Sequence, residues 1–463
     1  MASAVALLGA SGIASAQEAA QAVGAATLTV APKWLADTRF SNGQGIVSGR
    51  MVYHPGIAIE GGYDSNLYLR SGGPYERVVD VFKIRVTPHI QFSTRQLTGD
   101  GGAVLPMPYT LSGQVALSYQ EFLKGTKTTD IDVSGSRNLG ILAAVVLNIA
   151  PQGKFGGSIN AGVVRSIQPS QFGDPSASIN RTAPTGGGGV TWRPGGGLFA
   201  WAANYQATFT YFEASRYKEL NNLRHEIATQ GSWQFRPRTS VNFDSTYGLI
   251  RYVNSPTVQP NGDFVRARIG LNGLLTTKFG FTGMVGYGTT FYERKGNFPE
   301  QDFDSFLGQL EGRFYLKVPP KDSGTPGLYP STVAIGISRD FTQSYIGNFF
   351  SRDRVYANAS YFFDGRVLST VGGGFARASF PATSFADGRA RGAEFDAYLV
   401  DVNALVEYRI APNFGVNLSG IYTALLTDMR LPLVPNANPS DPAQFDELKW
   451  KRLEILLGAR YLL

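Results

Sequence analysis

Hydrophobic and polar side chains alternate along most of this chain with a period of two residues. Between Phe199 and Tyr211 the odd positions are apolar, whereas the even positions up to Thr210 are small or polar. A period of two places successive side chains on opposite faces of a β-strand, while a helix repeats about every 3.6 residues. The pattern predicts an all-β protein. Because soluble antiparallel sandwiches alternate too, it does not by itself give the architecture.

The length of the alternating segments narrows the choice. They run for roughly 11 to 15 residues, whereas a soluble strand has about 5–6 and a tilted bilayer-crossing strand about 9–11. Aromatic side chains gather near the predicted strand ends, where amphipathic rings favour the headgroup level of a membrane. They are Tyr211, Trp233, Phe235, Phe243, Phe291, Phe363, Tyr408 and Phe414. These features favour a transmembrane antiparallel up-and-down β-barrel over a secreted sandwich.

Short turn signals separate pairs of these segments at a spacing of about 43 residues, and the connections between the turns are longer and polar. Membrane barrels have this asymmetry, with tight turns on one side and long loops on the other. The count of turns predicts about eighteen strands, with sixteen as the alternative. The turns are expected at 99–108, 150–153, 193–196, 236–238, 276–278, 319–330, 364–366 and 411–413.

Both chain ends agree with a secreted barrel. Residues 1–16 form an uncharged run of small and apolar residues, which is typical of a signal peptide. Residues 17–50 lack alternation and are expected to be a periplasmic or lumen-facing extension, and residues 51–463 are the predicted barrel. In the last strand, Gly458, Tyr461 and Leu463 resemble the C-terminal signal that the barrel-insertion machinery reads.

A local sequence adds a family resemblance. Tyr63-Asp64-Ser65-Asn66 follows an extended segment and, with hairpins throughout and the C-terminal strand, resembles a loosely defined family of porin-like outer-membrane β-barrels. The resemblance covers most of the chain after residue 16. It implies an outer-membrane channel, carries no catalytic residues and names no substrate.

Several kinds of chemistry find no support in the composition. The chain contains no cysteine, so a disulfide framework and thiolate ligands are excluded, and no cofactor is expected. Its three histidines, His54, His89 and His225, are far apart in sequence and lack metal-ligand spacing. The glycine runs at 186–189 and 195–197 have no phosphate-loop context. Neither an enzyme nor a nucleic-acid-binding protein is therefore predicted, and the barrel geometry accounts better for the net charge of +7.

Function must then come from the lumen, because eighteen strands enclose enough room for an aqueous channel. Strand parity places more basic than acidic side chains inside, and a focused positive potential would favour anionic solutes. The predicted inward basic residues are Lys83, Arg85, Arg224, Arg266, Arg268, Arg313, Arg354, Arg409, Arg452 and Arg460. The inward acidic residues are Glu226, Asp244, Glu311, Asp401, Glu407 and Glu454.

Arg266 and Arg268 are the strongest candidates for charge selectivity. They lie two residues apart on one inward face, and their strand has no acid nearby on that face. Two readings compete with selectivity. The inward charges could instead form structural pairs, such as Arg224 with Glu226, or the two arginines could contact glycolipid phosphates at the outer vestibule.

Two predicted outer loops carry apolar residues. Loop 341–354 contains Phe341, Tyr345, Phe349 and Phe350, which could stack on sugars or pack the loop down. Loop 427–448 contains Met429, Leu431, Leu433 and Val434, which could form a constriction or pack against the rim. For both loops, packing is favoured over ligand binding.

The sequence thus predicts a porin-like channel of the bacterial outer membrane, with both termini periplasmic, that passes hydrophilic and preferentially anionic solutes. The alternatives are the exit pore of an envelope-spanning machine, such as one that secretes polysaccharide, and a structural or adhesive barrel with a closed lumen. The expected partners are outer-membrane lipid and the barrel-insertion machinery, with periplasmic export or envelope proteins as further candidates.

Overall fold

The computed structural model describes residues 45–72, 77–95, 106–126, 133, 136–166, 180–194, 198–254, 260–293, 302–316, 331–344, 348–363, 365–384, 390–432, 437–438, 441 and 445–463. The predicted signal peptide and most of the predicted extension 17–50 lie outside these ranges. No helix in the described ranges is long and apolar enough to cross a membrane.

Eighteen long strands of 12 to 17 residues dominate the described chain. In chain order they are β1 (Met51–Asp64), β2 (Val81–Thr94), β3 (Tyr109–Lys124), β4 (Asn138–Ile149), β5 (Phe155–Ser166), β6 (Arg181–Trp192), β7 (Phe199–Phe212), β8 (Asn222–Arg236), β9 (Thr239–Tyr252), β10 (Gly262–Leu274), β11 (Phe279–Tyr292), β12 (Asp304–Tyr315), β13 (Thr332–Gln343), β14 (Phe349–Phe363), β15 (Val367–Phe380), β16 (Phe395–Ala411), β17 (Phe414–Leu426) and β18 (Trp450–Leu462).

Each strand pairs antiparallel with the next, and β18 pairs with β1 from Leu462 opposite Gly56 to Glu454 opposite Asp64. The sheet therefore closes on itself, which removes the unpaired edges that an open sheet would expose. The predicted fold class, a closed antiparallel barrel of about eighteen strands, is confirmed. By chain position the eight predicted turns connect consecutive long strands, although 319–330 and parts of 99–108, 193–196 and 364–366 lie outside the described residues.

Several short elements accompany the eighteen long strands. The strand Ile46–Ser48 pairs with the start of β1, so the end of the predicted extension joins the sheet. Two small hairpins stand in the loops, Thr383–Ser384 with Ala390–Gly392 and Arg430–Pro432 with Phe445–Glu447. A 3-10 helix at Ser215–Leu220 connects β7 to β8.

The barrel has two unlike ends. At one end, here called the turn end, connections are as short as the two residues between β8 and β9 or between β16 and β17. At the turn between β14 and β15, Gly365 has φ +72°, a left-handed conformation that favours glycine. The other end, here called the loop end, carries the long connections.

The alternation in the sequence becomes an inside-outside division of the wall. In β18, Leu453, Ile455 and Leu457 are exposed on the exterior, whereas Arg452 and Glu454 are buried inside. The same division runs around the barrel, and exterior side chains such as Phe306 (76% exposed) have no protein cover. A continuous apolar exterior of this extent is unfavourable in water but matches the hydrocarbon of a bilayer.

Candidate functional site

The interior of the barrel is the candidate site, and the inward charges do not share one environment. On β18, β1 and β2, here called the seam wall, Lys83, Arg452 and Asp64 have side chains 0–3% exposed. On β8 to β14, here called the open wall, Arg224 and Arg313 keep 32% and 47% of their side-chain surface exposed. The open wall is therefore hydrated and the seam wall is covered.

The seam wall holds a buried ion-pair network. Arg452 contacts Asp64 at 2.5 Å and Glu454 at 2.7 Å, and Lys83 Nζ lies 2.6 Å from Glu454 Oε2. Arg85 pairs with Glu60 at 2.7 Å. Buried charges of this kind are tolerated only when they are paired, so these side chains are held by one another.

The same pattern continues toward the turn end of the neighbouring strands. Arg460 of β18 donates to Glu407 of β16, and Arg409 is 4.0 Å from that carboxylate. The sequence predicted Lys83, Arg85, Arg409 and Glu407 as pore-lining. They lie on the interior face, but the Lys83 and Glu407 side chains are fully covered. Their role in conduction stays a prediction.

The tetrapeptide Tyr63-Asp64-Ser65-Asn66, which carried the family resemblance, lies at the barrel seam, where β1 meets β18. Ser65 donates its backbone N–H to Leu453 O at 2.9 Å and accepts the Leu453 N–H on Oγ at 2.8 Å. Asn66 Nδ2 donates to Lys451 O at 2.9 Å. Together with the Asp64–Arg452 ion pair, these contacts bind the end of β1 to the start of β18. We call Asp64, Ser65, Asn66 and Arg452 the seam clasp.

The open wall also pairs most of its charges, as the structural-pairing alternative expects. Its described pairs are Arg224–Glu226 at 2.5 Å, Arg268–Asp244 at 3.0 Å, Arg313–Glu311 at 2.6 Å, Arg352–Asp340 at 3.0 Å and Arg354–Asp401, which reaches β16, at 2.8 Å. The last pair spans β15. Arg354 passes over Gly374, where an added Cβ would lie 2.5 Å from the guanidinium. Glycine at this position makes the pair possible.

Arg266 differs from the other open-wall arginines. Among the described residues it makes no ion pair, and its Nη2 donates instead to the carbonyl of Phe341 at 3.2 Å. Its guanidinium lies 4.9 Å from the Phe341 ring centre and 5.5 Å from that of Phe264, while its Nε is buried without a hydrogen bond. Aromatic faces stabilise a cation but do not neutralise it. Arg266 therefore contributes an unbalanced positive charge.

Phe341 belongs to a hairpin that bends into the barrel mouth. The pairing of β13 with β12 ends at Arg339, yet β13 and β14 stay paired up to Gln343 and Phe349. Gln343 Nε2 donates to the Tyr252 hydroxyl at 2.6 Å, and the Tyr292 hydroxyl donates to Asn348 O at 2.9 Å. Because Tyr252 lies on β9, four strands away from β13, the hairpin tip crosses part of the lumen.

An aromatic cluster holds this hairpin tip in place. Phe341 and Phe349 are buried together with Phe264 and Phe303, and the rings of Phe303 and Phe341 stack with centres 4.3 Å apart. The predicted outer loop 341–354 was too long, because strand pairing continues into it and only 344–348 connects the two strands. Phe341 and Phe349 pack into the barrel mouth, in agreement with the prediction that this segment packs down. Tyr345 lies outside the described residues.

Residues of the connection between β17 and β18 pack at the loop end of the seam wall. Met429 of the predicted loop 427–448 packs against a buried cluster of Leu69, Leu448 and Trp450. Leu431 falls in the small hairpin Arg430–Pro432, whereas Leu433 and Val434 lie outside the described ranges. The described part of this loop therefore packs against the rim.

The remaining sequence candidates are spread over the barrel. His225 is on the exterior, 2.7 Å from the Tyr205 hydroxyl, while His89 is buried inside. Within the described ranges, no group of three His, Cys, Asp or Glu side chains could hold a metal ion. Tyr461 and Leu463 face the exterior, and Gly458 packs closely against Glu60. Their role as an insertion signal stays a prediction.

Comparison with known proteins finds no matching family model and no matching curated protein. Solved structures with a similar fold include Acinetobacter baumannii OccAB4 (11% identity, covering 89% of this chain and 98% of that chain, TM-score 0.44). Others are the outer membrane protein OpdK from Pseudomonas aeruginosa (11%, 89% and 99%, TM-score 0.42) and a BenF-like porin from Pseudomonas fluorescens Pf-5 (10%, 89% and 99%, TM-score 0.44).

Proposed function

We propose that the chain forms an outer-membrane channel that passes small hydrophilic solutes and prefers anions. The observation that carries this proposal is the contrast across the open wall, where charged side chains remain hydrated inside while the outside is apolar. Such a wall separates water from hydrocarbon, as a channel requires. The tight turns and the described chain ends would then face the periplasm.

The hairpin tip of β13 and β14 supports a narrowed channel. It occupies part of the mouth over the open wall, and its contacts with Tyr252 and Tyr292 hold it there. Because the tip packs directly against β9 to β11, solutes would pass on the lumen side of the tip, with Arg266 behind it. A restricted mouth of this kind favours small solutes over the wide exit that a secreted polymer needs, so the polysaccharide-export alternative is not preferred.

The preference for anions follows from the charges around the hairpin tip. Around the hairpin tip, Arg224 and Arg268 are balanced by Glu226 and Asp244, and Arg266 remains without a carboxylate among the described residues. A single unbalanced charge in a narrow passage with low-dielectric walls raises the local concentration of counter-ions. Chloride or a small carboxylate would therefore enter more readily than a cation of the same size.

A liposome-swelling assay tests channel activity directly. Refolded protein is reconstituted into vesicles of phosphatidylcholine loaded with an impermeant polymer and diluted into isosmotic solutions of neutral sugars. We expect swelling by pentoses that slows as sugar size increases. A correctly folded, heat-modifiable barrel that gives no swelling with any sugar would contradict the channel proposal. A structural barrel with a closed lumen would then be the remaining interpretation.

A further inference from the structure

The turn end of the barrel carries a ring of basic side chains. Six members are Lys154, Arg193, Arg236, Arg238, Lys278 and Arg366, which lie at or beside the turns. Arg95 and Arg50 extend the ring at the start of the turn after β2, where the Arg95 N–H donates to Arg50 O at 2.7 Å. All are exposed except Arg193, which is half-buried. We call these eight residues the basic turn ring.

The described residues of the turn end supply no acidic partner for this ring. The described residues of the turns contain no aspartate or glutamate, and no member of the ring forms an ion pair within the described ranges. Arg193 donates to a turn carbonyl, and the guanidinium of Arg236 lies 5.9 Å from the Phe235 ring centre. The sequence places three aspartates in these turns, Asp100, Asp322 and Asp364, all outside the described residues, so the eight basic side chains of the ring still outnumber the acids.

The exterior at the loop end is built differently. There, exterior arginines have carboxylate partners, with Arg165–Glu213 at 2.6 Å, Arg339–Asp353 at 2.9 Å and Arg377–Asp396 at 2.6 Å. Among the described residues, these loop-end arginines are paired, whereas the basic side chains of the turn end have no carboxylate partner. A general need for solubility would not distinguish the two ends in this way.

The position of the ring indicates its partner. Described basic residues lie at six of the eight turns, so they are distributed around the circumference and do not form a patch on one side. Exposed aromatic side chains, including Trp192, Trp233 and Phe155, lie on the exterior just inside the ring. Aromatic residues mark the headgroup level of a membrane, and lysine and arginine at that level attract anionic lipids. A protein partner would more naturally meet a localised patch.

We propose that the basic turn ring binds the phosphate groups of anionic phospholipids in the leaflet on the turn side of the barrel. This inference rests on the proposed membrane location but not on conduction. The ring would select anionic headgroups around the barrel and fix the depth of the turn end. The acid-balanced loop end would show no such selection.

Lipid retention provides the test. The protein is reconstituted in vesicles of phosphatidylcholine containing one fifth phosphatidylglycerol, extracted in mild detergent, and its retained lipids are quantified by mass spectrometry. We expect phosphatidylglycerol to be enriched severalfold over its bulk share, and the enrichment to fall as NaCl is raised. Absence of enrichment in the wild-type barrel overturns the proposal.

Two matched variants distinguish lipid binding by the basic turn ring from a general effect of net charge. The turn variant combines Lys154→Gln, Arg236→Gln, Lys278→Gln and Arg366→Gln, and the control combines Arg339→Gln, Arg377→Gln, Arg430→Gln and Lys449→Gln. Both remove four positive charges from surface sites, and heat-modifiability reports whether each variant folds. We expect only the turn variant to lose enrichment, and an equal loss in both overturns the proposal.

The outcome is separable from that of the proposed function. A barrel that inserts and enriches phosphatidylglycerol but gives no solute passage would contradict the channel and retain the lipid site. A barrel that conducts without enrichment would contradict only the lipid site. If the fourfold turn variant does not fold, the single variants Lys278→Gln and Arg366→Gln replace it, each compared with Arg377→Gln, and enrichment equal to that of Arg377→Gln overturns the proposal.

Discussion

Arg266 is an inward arginine that forms no ion pair with the described residues and donates to a backbone carbonyl instead. It lies between two phenylalanine rings at the point where the hairpin tip approaches the open wall. Arg268, two residues away on the same face, is neutralised by Asp244 of the neighbouring strand. Two arginines that look equivalent in the sequence therefore have different expected effects on passing ions.

We predict that Arg266→Gln lowers the ratio of anion to cation permeability roughly twofold or more, because it removes the unbalanced charge at the narrow mouth. Reversal potentials in a KCl gradient measure this ratio. The control is the double variant Arg268→Gln with Asp244→Asn, which removes a neutral pair from the same wall. An unchanged ratio in Arg266→Gln, or an equal fall in the control, would contradict the assignment.

Much of this residue-level arrangement could be predicted, and the rest required the register of distant strands. Period-two alternation was enough to place the charges inside, because it depends only on neighbouring positions. Pairing could not be read in the same way. Lys83 meets Glu454 across the barrel seam, 371 residues away, and Arg354 meets Asp401 only because Gly374 lies between them.

At the scale of elements, the inward hairpin and the seam clasp determine how the barrel is closed and how its mouth is narrowed. Seven of the eight turns were predictable because proline, glycine or asparagine marks them locally, and the turn at 276–278, which has none of these residues, followed from the spacing of the others. The bend of β13 and β14 was not, because strands keep their alternation after leaving the wall. The predicted loop 341–354 was consequently too long.

The hairpin tip is expected to limit conductance. Phe341→Ala with Phe349→Ala removes rings that anchor the tip and partly fill the mouth, so we predict a single-channel conductance higher by roughly half. Planar-bilayer recording measures the change. Phe306→Ala with Phe375→Ala removes two exterior rings and should leave conductance unchanged. A hairpin variant with wild-type conductance would show that the narrowest point lies elsewhere.

The seam clasp is expected to stabilise the closure between β1 and β18. Arg452→Met leaves Asp64 buried without its partner, so we predict a loss of about 3–5 kcal/mol in the free energy of unfolding. Urea unfolding followed by tryptophan fluorescence measures this loss. Arg313→Met breaks an exposed pair and should cost about 1 kcal/mol or less. Comparable losses for the two variants would contradict a special role for the seam.

At the scale of the whole molecule, three properties act together. The exterior is apolar, the open wall is hydrated, and the excess charge is arranged unequally between lumen, loop end and turn end. The barrel and its strand number followed from local patterns repeated along the chain. The division of the interior into a covered and a hydrated wall depends on which distant residues pack against each inward charge, and a period of two does not give those contacts.

Single-channel recording of the refolded wild-type protein in planar bilayers, with the reversal potential taken in a KCl gradient, tests the proposed channel most directly. We predict stable open steps and a reversal potential displaced in the direction of chloride permeability. A folded, heat-modifiable barrel that never opens, or one that prefers potassium, would contradict an anion-preferring channel.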